Sequence, residues 1–245
     1  VKKIVFLLFT LLMTVHMAAA QTLPSVTLKV SQGGEASDVV PTIQIIGLMT
    51  LMALAPALVL MMTSFTRILI VLHFLRQAMG TNQVPPAQLV VGLALILTFY
   101  VMQPTLNTVN NTALKPYMEK TIDQKTAFNN AAQPFKEFML RQVRERDLAL
   151  FVNLSGQPRP ANATEISLAV LVPAFVISEL RIAFQIGFVL YLPFLIIDMV
   201  VSSVLLAMGM MMLPPVMVSL PFKILLFVMV DGWYLVVESL VKSFH

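Results

Sequence analysis

The chain has no cysteine, which excludes disulfides, thiolate metal sites and a cysteine nucleophile. Imidazole is almost as scarce. His16, His73 and His245 are widely separated, which argues against a histidine metal cluster or a Ser-His-Asp triad. No glycine-rich loop ends in Gly-Lys-Ser/Thr, so ATP is not bound by that route. These gaps remove most enzyme readings, and neither a cofactor nor a metal is expected. The most telling shortage is charge. Asp, Glu, Lys and Arg supply 11% of 245 residues, where an ordinary globular chain carries about 25%. Hydrophobic residues make up 58% and mean hydropathy is +0.86. No water-soluble fold buries that much apolar chain and still covers its surface, so the class is a membrane protein. The net charge of +4 includes Lys2 and Lys3 of an N-terminal targeting segment. Basic patches with interleaved aromatics are absent, so nucleic acid is not an expected partner.

Charge is also unevenly placed. Lys115 to Glu165 holds eight basic and six acidic residues, half of all the charges in the chain. The rest divides into apolar stretches. Val1 to Ala20 has the pattern of a cleavable secretory signal: Lys2-Lys3, an apolar run from Ile4 to Leu12, and Ala18-Ala19-Ala20 before Gln21. That run is too short for a span, which needs about 20 residues. A polar leader follows over residues 21–42. Residues 43–104 read as a first apolar hairpin: Ile43 to Thr66 without a charge, kinked near Pro56, then Gln88 to Gln103. Between them, residues 67–87 read as a basic connector with Arg67, His73 and Arg76. A cleaved signal and the positive-inside rule both put that connector in the cytoplasm. Residues 105–165 then form a polar helical domain on the periplasmic side. Within it, Pro134 sits as in a first helical turn, and Phe135, Phe138, Met139 and Val143 recur at helical spacing. Asn162-Ala163-Thr164 matches a glycosylation sequon only weakly. Residues 166–245 read as a second apolar hairpin, with prolines 173, 193, 214, 215 and 221 and a Met-Pro turn at 209–215. The expected fold is therefore all-α: a signal peptide, about four long kinked apolar helices in hairpins, and a small extracytoplasmic helical domain between helices 2 and 3.

Ionisable residues within apolar helices are costly and mark protein contacts or a water-filled path. Glu179 and Arg181 are two apart and point to different helix faces. Each needs a partner on another helix or another subunit, and contacts between neighbouring subunits are expected. Asp198 and Lys223 lie symmetrically about the Met-Pro turn, so a hairpin brings them to one level, roughly 18 Å from its tip at about 1.5 Å per residue. The structural reading is helix cross-ties. The sharper one is a proton or ion relay, which normally needs carboxylates or histidines in line, and this stretch has no histidine before His245. Methionine is abundant, with 17 residues. Most are read as packing, but Met208 and Met210, Met211 and Met212 crowd a turn hinged by Gly209, Pro214 and Pro215. Flexible, polarizable thioethers there would make a soft seal.

Several of these residues carry a family resemblance. Pro173-Ala174-Phe175, Ser178-Glu179-Leu180, Ala183-Phe184-Gln185-Ile186-Gly187-Phe188 and Pro193-Phe194-Leu195-Ile196-Ile197-Asp198 resemble the FliP family of flagellar export-gate proteins. So do Met210-Met211-Met212-Leu213-Pro214-Pro215, Leu220-Pro221-Phe222-Lys223, Asp231-Gly232-Trp233, Thr63-Ser64-Phe65-Thr66-Arg67 and Arg76-Gln77-Ala78-Met79-Gly80-Thr81. The likeness covers roughly residues 43 to 245 and is weakest in the polar domain. It implies a core subunit of the type III export apparatus in the bacterial inner membrane, at the flagellar basal body. The implied assembly is a ring of several copies, five in the family, joined by FliQ and FliR and associated with FlhA and FlhB. It conducts unfolded flagellar subunits through a channel gated by the methionine loop. The ring is implied to sit largely above the membrane plane. The cleavable signal favours the flagellar over the injectisome branch. Two other readings are a small-solute or ion transporter, weakened by the lack of an inverted hydropathy repeat, and a non-conducting assembly scaffold.

Overall fold

A computed structural model describes residues 39–81, 85–156, 162, 165–210 and 212–244. The expected signal, most of the leader, Met211, and Ala163 and Thr164 of the sequon lie outside the described residues. The chain divides into two units at Leu51 and Met52. Of the first, only the opening turns of one helix are among the described residues, and the fold is that of the second. All regular elements among the described residues are helices.

Helix α1, Val39–Met61, carries no charge and contains Pro56. It ends at a sharp break over Met62–Ser64, not at Pro56. Thr63 makes that break on both sides. Its hydroxyl donates to the Leu60 carbonyl at 2.8 Å and accepts the Phe65 amide at 3.3 Å, occupying orphan groups of two helix ends. Helix α2, Phe65–Ala78, follows. The connector expected here is instead this helix, buried at the centre of the fold. Ile68, Val71, Leu72 and Leu75 form an i, i+3, i+4, i+7 stripe, each at most 2% exposed. Gly80, at φ +73°, turns the chain out of α2.

Helix α3, Ala87–Val109, runs into a π-helical turn, Asn110–Leu114, and the short α4, Lys115–Met118. Together they make one apolar rod of 32 residues. Asn130 from the next helix donates to the Thr112 carbonyl at 3.0 Å, within the π turn. Helix α5, Gln124–Gln142, begins ten residues before the proline expected at its start, so Pro134 lies inside it. Phe138 and Met139 belong to its buried face. Helix α6, Glu145–Leu154, leads back towards the apolar region with Glu145 and Asp147 in its first turn, where acids suit the helix dipole.

The principal element is α7, Leu168–Ala207, with 40 residues and both Pro173 and Pro193 inside it. At about 1.5 Å per residue it is roughly 60 Å long. Helix α8, Pro215–Met229, returns alongside it, and after a 64° bend at Asp231 comes α9, Gly232–Lys242. The Phe194 and Phe227 rings lie 6.4 Å apart, and Asp198 meets Lys223 four residues away along each helix, so α7 and α8 are antiparallel in one register. By contrast, α2 runs parallel to α7. Arg67 meets Glu179, and seven residues on, Phe74 packs on Phe184 with ring centroids 5.2 Å apart. The approach is close. A Cβ added at Gly187 would lie 2.6 Å from the Phe74 ring, so glycine is what lets these helices touch. Among the described residues two helices are long and apolar enough to cross a membrane alone, Ala87–Met118 and Leu168–Ala207, or up to four spans if each bent pair counts as one.

Candidate functional site

Two buried charge clusters and one exposed turn stand out. The first cluster centres on Arg67, 1% exposed on α2. A guanidinium has five N–H donors in a rigid fork. All five are used. Nε donates to Glu179 Oε2 at 2.8 Å and Nη2 to Glu179 Oε1 at 2.5 Å. Nη2 also reaches Gln142 Oε1 at 3.1 Å, while Nη1 donates to the Ser243 carbonyl at 2.7 Å and its hydroxyl at 3.0 Å. The Phe244 ring stacks on the guanidinium with its centroid 3.9 Å away. Gln142 closes the circuit by donating to the Phe244 carbonyl at 2.9 Å. One side chain thus joins α2, α5, α7 and the segment after α9. Glu179 finds a partner on another helix of the same chain, the first of the two alternatives its position on α7 left open. Beside it, Ser178 accepts the Arg144 amide at 3.0 Å and fixes the α5–α6 link to α7.

The second cluster lies nearer the turn. Lys223 Nζ donates to Asp198 Oδ2 at 2.6 Å and to the Ala78 carbonyl at 3.2 Å, at the last turn of α2. A cation there also suits the negative end of that helix. Ser219 donates to Asp198 Oδ1 at 2.5 Å. Lys223 is 2% exposed, so the pair closes the α7–α8 hairpin onto α2 from inside the fold. Arg181 behaves differently. It is exposed on α7, with no ion pair among the described residues.

At the hairpin tip Met208, Met210 and Met212 are exposed, Met212 at 97%. Gly209 has φ +75°, a left-handed conformation that other residues rarely adopt. Pro214 caps α8 and Pro215 opens it, where a proline's missing N–H costs nothing. Gly209 and the two prolines flank the turn, and the side chains of Met208, Met210 and Met212 are exposed beside them.

Sequence reasoning missed Arg67, Gln142, Ser219 and Ser243 as site residues. For Arg67 a signal was present: the apolar stripe from Ile68 to Leu75 has helical spacing. Gln142 and Ser243 gave none, because only the tertiary fold brings polar residues 75 and 176 positions away to Arg67.

These features define a helical membrane protein whose apolar helices are cross-tied by hydrogen-bonded ion pairs, Arg67 with Glu179 and Lys223 with Asp198. The FliP family model matches residues 48–240. The flagellar biosynthetic protein FliP of Bacillus subtilis is 51% identical over 217 residues, covering 89% of this chain and 98% of that protein. Those of Caulobacter vibrioides and Pectobacterium carotovorum are 50% and 51% identical, over 93% and 90% of this chain and 85% and 84% of theirs. The chain belongs to the FliP family.

Proposed function

We propose that this protein is a core subunit of the flagellar type III export gate, forming a ring that conducts unfolded flagellar subunits out of the cytoplasm. Its relatives carry the name flagellar biosynthetic protein. The observation that carries the ring is α7. At roughly 60 Å it is about twice the 30 Å hydrocarbon thickness of a bilayer. Only 11% of its most apolar window is buried within the chain. Lipid covers at most part of such a helix, and neighbouring copies cover the remainder. The ring has five copies, joined by FliQ and FliR beside FlhA and FlhB, in the inner membrane at the basal body with residues 105–165 on the periplasmic side.

The turn supplies the gate. In a ring whose hairpin tips point inward, Met210, Met211 and Met212 of every copy meet near the axis. Thioethers carry no charge and no fixed shape, so they close on one another and reshape around a passing chain. The buried charges are poor material for an ion relay, since Glu179 is neutralised by Arg67 and Asp198 by Lys223. The test is conductance. Replacing the three methionines by alanine leaves the ring intact on native gels and makes the membrane leak small ions. Background conductance with confirmed assembly overturns the gate.

A further inference from the structure

We infer that the ring contact is made by an apolar ridge on α7, centred on Arg181, seated in the groove between α3 and α9 of the next copy, with Arg181 facing Glu238 there. This rests on the proposed ring and adds its interface.

The ridge consists of Ile177, Arg181, Phe184 and Phe188, spaced four, three and four apart, so that all share one helix face. All are exposed. An exposed guanidinium on an apolar helix face calls for an anion, and no carboxylate pairs with it among the described residues. The groove has the complementary character. It encloses about 590 Å³, its walls include Tyr100, Trp233, Tyr234 and Val237, and Glu238 is its one charged lining residue among the described residues. Guanidinium planes stack on aromatic faces and bond carboxylates in pairs, so this lining suits arginine over lysine. Glu238 is held by Lys242, at 2.7 Å, in an i,i+4 pair whose lysine side chain is 73% exposed. Exposed pairs of this kind are weak and give way to a better partner.

Height supports the match. In a ring about the membrane normal, groups that meet must lie at one level. Glu179 and Ser243 both bond Arg67 and fix a common level on α7 and after α9. Arg181 is about 3 Å of helix from that level, and Glu238 at most about 7.5 Å. Both are displaced towards the hairpin side, a difference that the two side chains span. Asp231, an exposed acid of this region with no ion pair among the described residues, is at the far end of α9, about 18 Å of helix from the same level. Ridge and groove are also different surfaces. A contact between unlike patches is heterologous and builds a ring when its rotation closes, where a two-fold dimer would pair each patch with itself.

The absence of cysteine from the sequence makes the test clean. The full chain carrying R181C and E238C together is oxidised in membranes that contain the other gate components. Disulfide-linked dimers and higher species are expected from the double variant and none from either single variant. A ladder from R181C alone, or from R181C with D231C in place of E238C, overturns the assignment. So does the absence of any ladder while wild-type protein runs as an oligomer on native gels; the ridge then faces lipid or another protein. A monomeric wild type refutes the ring itself and is read on a separate gel. Charge reversal guards against misfolding: R181E and E238R each lower the oligomer yield at least tenfold, and combining them restores it. Normal oligomers from R181E overturn the contact.

Discussion

Replacing Glu179 by alanine removes the charge that balances a buried guanidinium. Arg67 loses its bonds at Nε and one of those at Nη2, and keeps the neutral acceptors of Gln142 and Ser243. Breaking a buried pair from one side costs about 3–5 kcal/mol, because the surviving charge cannot return to water. That is about two to four powers of ten in an unfolding constant. Purified protein in mixed micelles supplies the assay. Trp233 is the only tryptophan and packs edge-on against Phe227 at 5.5 Å, so its fluorescence reports opening of the α8–α9 bend. Glu179→Gln keeps one acceptor and loses less. The informative variant is Arg67→Met with Glu179→Met, which removes both charges. It loses far less than the two single variants added together, though Gln142 and the Ser243 carbonyl each give up a bond worth about 1 kcal/mol. A loss under about 1 kcal/mol for Glu179→Ala, or a double variant equal to the sum, refutes the account of a buried pair.

Asp198→Ala and Lys223→Ala each destabilise by about 3–5 kcal/mol in the same assay, and the exchange of the two residues recovers only part, since an aspartate at 223 cannot donate to the Ala78 carbonyl. A complete recovery shows that this third contact contributes nothing. Gly187→Ala forces α7 away from Phe74 and lowers stability by about 1–3 kcal/mol; an additional Phe74→Leu restores most of it, and no rescue means the strain lies elsewhere. Mass spectrometry of the protein extracted from membranes finds Gln21 at the amino terminus, and an intact residue 1–20 segment refutes cleavage. Shortening the turn at Met210 to Met212 produces the same ion leak as their replacement by alanine, with the ring still assembled.

Composition made the membrane setting plain, and uncharged runs as long as Ile43 to Thr66 made the helical class plain, because a run of that length satisfies its own backbone in lipid as a helix. The hairpin register could be read from the positions of Asp198 and Lys223 about a proline-rich turn, since two adjacent prolines cannot sit within a continuous helix. Residues 65–78 misled for a physical reason. Arg67, His73 and Arg76 look like a solvated connector to any rule that counts charge, yet the apolar stripe between them decides the burial of α2. Pro134 misled likewise. Prolines favour first turns, but here the helix continues through it, as α7 continues through Pro173 and Pro193. The five-bond saturation of Arg67 could not be read at all. It depends on four elements meeting at one point, and no local pattern encodes that.

That meeting point also sets a clock. Arg67 is made early, yet its acceptors follow 75, 112 and 176 residues later. At translation speeds of about 5–20 residues per second, Ser243 emerges roughly 10 to 35 seconds after Arg67. Throughout that interval the guanidinium lacks its full company, and α2 has no settled place among the helices that will enclose it. Insertion and closure are therefore separate events in the life of the chain. The α2 helix takes its final set of contacts only when Ser243 and Phe244 arrive.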